Sequence, residues 1–158
     1  MSTTPYLTLV IWVPILAGAL VLATGSDRNA SLARVVALLG SLAGLLACLP
    51  LIAGFDPAAH GMQFVERSPW ITRYNVQYAL GIDGISLLLI LLNSFTTVLV
   101  VLAGWKVIES RVAQYMAAFL VMSGLMNGVF SAMDAMLFYV FFEATLIPMF
   151  IVIGAIGK

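Results

Sequence analysis

The acid at position 143 is set among residues that offer it no partner. The run Ala135–Ala155, AMLFYVFFEATLIPMFIVIGA, carries Glu143 as its only charged side chain and is long enough to cross a bilayer core of about 30 Å. Glu143 lies eight residues in from Ala135, about 12 Å along a helix rising 1.5 Å per residue, close to mid-membrane. A carboxylate at that depth costs at least about 2.5 kcal/mol, so it is paired, protonated or turned to a wet path. The chemistry open to it is proton or ion transfer. A carboxyl moved between apolar surroundings and a nearby cation can load and release a proton. No Lys or Arg lies at comparable depth in any apolar run. The counter-charge therefore comes from outside this chain, or the acid keeps its proton. The alternative is a structural hydrogen bond to a neighbouring helix.

Other polar groups share the apolar runs. Ser123, Asn127 and Ser131 follow one another at i, i+4 and i+8 and share a helix face. The expectation is that this face looks toward Glu143 from an antiparallel neighbouring helix; the alternative is that it bonds helices together. Gly124 and Gly128 form a small-x-x-x-small pair suited to close helix approach. Asn93, Thr96 and Thr97 also share a face, where hydroxyls commonly bond back to their own helix. Pro148 removes the donor for the carbonyl of Ala144, next to the acid, and bends the helix. The freed carbonyl is a candidate water ligand, or the kink serves packing. Gly40-x-x-x-Gly44 and the eight Met residues read as packing and gap filling.

These side chains need membrane helices to hold them. Hydrophobic residues make up 63% of the 158 and charged residues 9%, against about 25% charged in soluble domains. The fold class is all-α integral membrane. Five apolar runs, about Pro5–Thr24, Ser31–Phe55, Ile85–Trp105, Val112–Ala132 and Ala135–Ala155, predict five transmembrane helices. The first run lacks a preceding Lys or Arg, so it reads as a retained helix rather than a signal peptide. With the N-terminus outside, Arg28, Arg34, Lys106, Arg111 and Lys158 fall on the inner side, and only Arg67 and Arg73 outside, as positive-inside topology requires. The chain divides into helices 1 and 2 at 1–55, an outer loop at 56–84, and helices 3 to 5 at 85–158. The loop mixes β-branched and aromatic residues with charges and predicts a short hairpin. Trp70, Tyr74 and Tyr78 suit the interfacial aromatic belt. Asp83 and Asp134 stand where N-caps of the third and fifth runs belong.

Several function classes drop out. A net charge of zero gives no reason to expect nucleic acid as a partner. Cys48 is the single cysteine and His60 the single histidine, so neither an internal disulfide nor a His pair for haem or zinc is available within the chain.

Two stretches, LGIDGISLLLILLNSF at Leu80–Phe95 and LFYVFFEATLIPMFIVIG at Leu137–Gly154, with FVERSPWI at Phe64–Ile71, resemble the antiporter-like membrane subunits of respiratory complex I. The nearest likeness is to the subunit M branch of the NADH:quinone oxidoreductases, the counterpart of mitochondrial subunit 4. The resemblance implies a proton-translocating role in which Glu143 is the membrane glutamate. It also implies a lysine partner on a later helix, and a relay of lysines and an inverted repeat beyond. Flavin, iron–sulfur clusters and quinone are implied in partner subunits, with no cofactor in this chain. The implied setting is the bacterial inner membrane, multi-pass, among the other membrane and peripheral complex I subunits and the lipid bilayer. The sequence stops at Lys158, soon after the fifth run. The expectation is therefore an N-terminal portion, a fragment without a complete path and unable to pump alone. Competing readings are a subunit of a multi-subunit sodium/proton antiporter, a non-pumping membrane anchor or assembly fragment, and a quinone-reactive subunit.

Overall fold

The computed structural model describes residues 6–23, 30–58, 61–71, 73, 76–107 and 112–153. Six helices and one hairpin follow in the order α1 (Tyr6–Ala23), α2 (Ala30–Ala47), α3 (Leu49–Gly54), β1 (Gln63–Ile71), β2 (Val76–Ile82), α4 (Gly84–Val107), α5 (Val112–Ser131) and α6 (Ala135–Ile151). Among the described residues four segments are long and apolar enough to cross a membrane: Tyr6–Ala23, Ser31–Gly54, Gly84–Trp105 and Val112–Ser131. The fold is an all-α membrane bundle with one hairpin at one end.

Two expectations about the runs need correction. The run Ser31–Phe55 is broken at Cys48 into two helices, two residues before Pro50, which has no N–H to bond the carbonyl of Leu46. The chain turns at Cys48, whose N–H bonds to Leu45 O at 3.0 Å, and restarts as α3 with the proline in its first turn, where no donor is needed. The Cys48 thiol then donates to the carbonyl of Gly44 at 3.5 Å. The run Ala135–Ala155 forms an α-helix only to Ile151, widening to a π-type turn at 152–153. Its 17 residues span about 25 Å, so it is the shortest of the apolar segments. The last part of that run lies outside the described residues.

Small residues set the packing. α1 is held between α2 and α5. Gly40 meets Ala17, Gly44 meets Pro14 and Gly18 meets Val121, each so closely that an added Cβ would collide or press on its neighbour. Gly124 sits against the main-chain carbonyl of Ile11, and Gly128 against the ring of Phe141. The Gly124/Gly128 pair therefore serves two different neighbours, α1 and α6. One apolar cluster, including Leu7, Ile11, Leu51, Leu80, Ile82, Ile90 and Phe141, lies at the hairpin end. A second, including Val21, Ala37, Val101, Met116 and Leu120, lies at the opposite end. The outer surface is apolar as well, with Ile85 72% and Phe150 77% exposed, as lipid or a partner protein demands.

The hairpin is antiparallel, and its register explains one side chain. Gln63 faces Ile82 and Glu66 faces Leu80, so three steps on β1 match two on β2. The extra residue is a bulge at Phe64, which takes the left-handed φ of 55°. Residues facing each other across a ladder share a side, and a one-residue slip reverses sides. The bulge therefore puts Glu66 on the side carrying buried Leu80 and Ile82, toward α1.

Candidate functional site

At the hairpin end, three carboxylates meet three helix N-termini, where backbone N–H groups have no intrahelical acceptor. Glu66 reaches from β1 to α1. Its Oε2 accepts from Leu7 N at 2.8 Å and Thr8 N at 3.3 Å, and its Oε1 accepts from Thr8 Oγ1 at 2.5 Å. Tyr78 extends the contact: its hydroxyl lies 3.3 Å from Thr8 Oγ1 and accepts from Trp12 Nε1 at 3.2 Å. Asp83 caps α4, accepting from Ser86 N at 2.8 Å. Asp134 caps α6 through Met136 N and Leu137 N, at 2.9 and 3.3 Å, and its other oxygen accepts from Gln77 N of β2 at 3.1 Å. Met133 N donates to Ala79 O at 2.8 Å, so the α5–α6 connection forms a short bridge to β2. The hairpin thus ties together the starts of α1, α4 and α6. Trp70's side chain and Tyr74, expected in an aromatic belt, lie outside the described residues, as do His60, Arg28, Arg111 and Lys158.

Two predictions arise here. Glu66→Ala removes an acceptor for two backbone amides that no residue of α1 supplies, at a cost of roughly 1–2 kcal/mol. Amide exchange at Leu7 and Thr8 should quicken about tenfold or more, while amides in the middle of α5 should not change. The second concerns acid. The amide of Gln77 holds the Asp134 carboxyl below the usual carboxylate range, outweighing an opposing desolvation, and the amides of Leu137 and Met136 add to it. Asp83 is lowered likewise, first by the backbone N–H of Ser86 and then by its hydroxyl. A folded pKa below the unfolded one gives stability that is complete above the ordinary carboxylate value, about 3.9. That stability is lost as pH falls through the lowered folded value. The thermal midpoint of the detergent-solubilised chain should therefore fall below about pH 4, and Asp134→Asn should flatten that fall.

In the middle of the bundle a buried amide, Asn127, pairs with a half-buried one, Asn93. Asn127 is fully buried and donates from Nδ2 to Val10 O of α1 at 3.1 Å. That carbonyl is the one whose helical donor would be the N–H of residue 14, which is proline. Asn93 Nδ2 of α4 donates to Asn127 Oδ1 at 2.9 Å and to Ser123 O at 2.8 Å. Three helices are thereby joined through one amide. Ser131 and Thr97 donate back to Asn127 O and Asn93 O of their own helices, each at 2.8 Å. Back-bonding of Thr97 matches the sequence reading. Asn93 instead spans two helices, which its spacing did not reveal.

Glu143 lies elsewhere. The buried face of α6 is Leu137, Phe141, Thr145 and Pro148. At 100° per residue Glu143 is about 200° from Phe141, which places it on the opposite side, exposed. The expectation that Ser123, Asn127 and Ser131 look toward Glu143 fails. Gly128 is the residue that meets α6, while the Asn127 amide is committed to α1 and α4. Among the described residues Glu143 makes no hydrogen bond or ion pair. Its neighbours on that outward side are Ala144, Leu146, Ile147, Phe150 and Ile151, all of α6 itself. Pro148 is buried one turn further on. Among the described residues no cluster of His, Cys, Asp and Glu has the makings of a metal site.

Residues 59–133 match the family model described as NADH-ubiquinone oxidoreductase chain 4, amino terminus. The chain is 48% identical to NADH-quinone oxidoreductase subunit M of Rhodobacter capsulatus, over 96% of this chain and 30% of that protein. It is 40% identical to NADH-ubiquinone oxidoreductase chain 4 of Arabidopsis thaliana, over 89% of this chain and 28% of that one. The fold superposes on a chain of respiratory complex I from Thermus thermophilus with bound NADH at a TM-score of 0.79 and 30% identity, covering 94% of this chain and 29% of that one. The chain spans about 30% of the length of these curated relatives. The sequence motifs, the five apolar segments with their hairpin, and these likenesses agree: the chain belongs to the family of membrane subunits that comprises NADH-quinone oxidoreductase subunit M and NADH-ubiquinone oxidoreductase chain 4.

Proposed function

We propose that this chain supplies the first helices of a proton-translocating membrane subunit of an NADH:quinone oxidoreductase, with Glu143 as a station on the proton path. One observation carries the reading. Glu143 is a carboxyl in the middle of an apolar helix, turned outward from its own bundle, with no partner among the described residues. The cost of leaving it so in hydrocarbon favours an arrangement in which a cation or a file of water, held by protein outside this bundle, completes the site. Pro148 adds an acceptor beside the acid by withdrawing the donor that would bond the carbonyl of Ala144. Ser123 and Asn127 support the site at one remove, by fixing α5, on which α6 packs through Gly128 and Phe141. In this reading flavin, iron–sulfur clusters and quinone belong to partner subunits, and the chain's part in the translocase is charge movement across the bacterial cell membrane. The test is NADH-driven proton pumping by the complete complex carrying Glu143→Gln. Pumping lost with assembly and NADH oxidation retained sustains the proposal; unchanged pumping leaves the chain a membrane anchor.

A further inference from the structure

Asn93 has hydrogen-bonding capacity left over. Both N–H groups of its Nδ2 are spent on α5, on Ser123 O and Asn127 Oδ1. Among the described residues nothing donates to its Oδ1. Thr96, one turn on along the same face of α4, makes no hydrogen bond there either. The Ser123 side chain is buried and its hydroxyl is touched only by Asn93 Nδ2, at 3.5 Å, so its proton has no acceptor. All three side chains line one groove of about 330 Å³ between residues 89–100 of α4 and 119–130 of α5. Eleven residues on each helix, at 1.5 Å apiece, make it about 16 Å long, three turns running with the helix axes. Asn93 is nine residues into α4 and Ser123 eight from the end of α5, which puts them about 12–14 Å from the hairpin end. The groove is apolar at both ends, with Leu89 and Phe130 toward the hairpin and Val100 and Phe119 away from it.

We propose that this groove seats a transmembrane helix of a partner subunit, which sets a Ser, Thr, Asn or Gln side chain against Asn93 Oδ1 and the hydroxyls of Thr96 and Ser123. Lipid does not answer these groups. Headgroups stay outside a hydrocarbon core of about 30 Å, and acyl chains neither donate nor accept. A slot three turns long has the shape of a helix, and the flexible side chains of Met122 and Met126 on its wall adapt to one. The occupant's polar group has to donate to Asn93 Oδ1 and accept from a hydroxyl, which each of those four side chains does. It carries no charge, because no Asp, Glu, Lys or Arg lines the groove to balance one. α6 packs at Gly128, about 200° round α5 from Met126, so the groove faces away from the last described helix. The occupant is therefore assigned to another chain.

The proposal rests on the chain being one subunit of a larger membrane complex, and not on the role given to Glu143. Its test uses the purified complete complex with a photoreactive diazirine amino acid in place of Met126, the crosslinked peptide being identified by mass spectrometry. The expected product joins position 126 to an apolar segment of one other subunit, with a Ser, Thr, Asn or Gln within a turn of the crosslink. Thr96→Val keeps the shape of the side chain and removes its hydroxyl. It should speed detergent-induced release of that subunit about threefold, the worth of one interhelical hydrogen bond, and Thr96→Ser should not. In a complex whose partner residue has been made apolar, Thr96→Val should have no further effect. Crosslinks only to lipid, to a second copy of this chain or within the same polypeptide overturn the proposal. So does a partner segment without such a residue, or a release rate unmoved by Thr96→Val. Proton pumping enters neither readout, so failure of the Glu143 reading leaves the outcome standing.

Discussion

Glu143→Gln in the complete complex is expected to lower proton pumping per NADH oxidised by roughly tenfold or more, the scale on which a lost proton-transfer group is felt. Glutamine keeps the length and shape of the side chain but cannot hold a transferable proton. Folding should not suffer, because a neutral amide on an apolar helix surface costs less than a carboxylate. Normal assembly with failed pumping is therefore the specific signature. Glu143→Asp keeps the carboxyl but withdraws it by one methylene, and should fall between the two. Pro148→Ala gives the carbonyl of Ala144 a donor again; a smaller loss of pumping there, with the acid intact, would mark that carbonyl as part of the path. A Gln variant that assembles and pumps normally would reduce Glu143 to a structural acid.

The second large effect lies in the amide pair Asn93–Asn127. Asn127→Leu removes the donor to Val10 O, which no helical N–H replaces, and one of the two acceptors of Asn93 Nδ2, whose bond to Ser123 O remains. The orphaned carbonyl costs roughly 1–3 kcal/mol when buried. Interhelical bonds in membranes run toward the low end, so a loss of about 2 kcal/mol is expected. The cause can be isolated. Val10 O needs Asn127 because position 14 is proline, so Pro14→Ala restores an N–H within reach of that carbonyl. In a Pro14→Ala background, Asn127→Leu should cost about 1 kcal/mol less. Proline also packs against Gly44, but that loss is common to both arms of the cycle and cancels. Detergent-unfolding curves of the four proteins would measure the coupling, and strict additivity would show that Asn127 does not stand in for the missing donor.

The sequence by itself determined what composition and local pattern can carry. Long apolar runs broken by charged loops required membrane helices, because backbone polar groups in hydrocarbon must be satisfied within the segment. The hairpin was legible from β-branched and aromatic residues between turn signals, and the caps Asp83 and Asp134 from their place just before apolar runs. The isolated acid at 143 was legible because a lone charge in such a run is costly. The break at Cys48 was also within reach, since Pro50 was in view.

The tertiary structure alone decided which faces meet. Helical spacing places Ser123, Asn127 and Ser131 on one face, but it carries no information on which neighbour that face receives, and it received α1 and α4 rather than α6. The role of Asn127 depends on a proline more than a hundred residues away, and that of Glu66 on a one-residue bulge that turns it toward α1. Both are contacts between segments remote in sequence, fixed by close packing at Gly18, Gly40, Gly124 and Gly128. Local pattern sets what each element is. Which surfaces touch follows from how the backbones fit once all are present, and that fit leaves Glu143 facing outward.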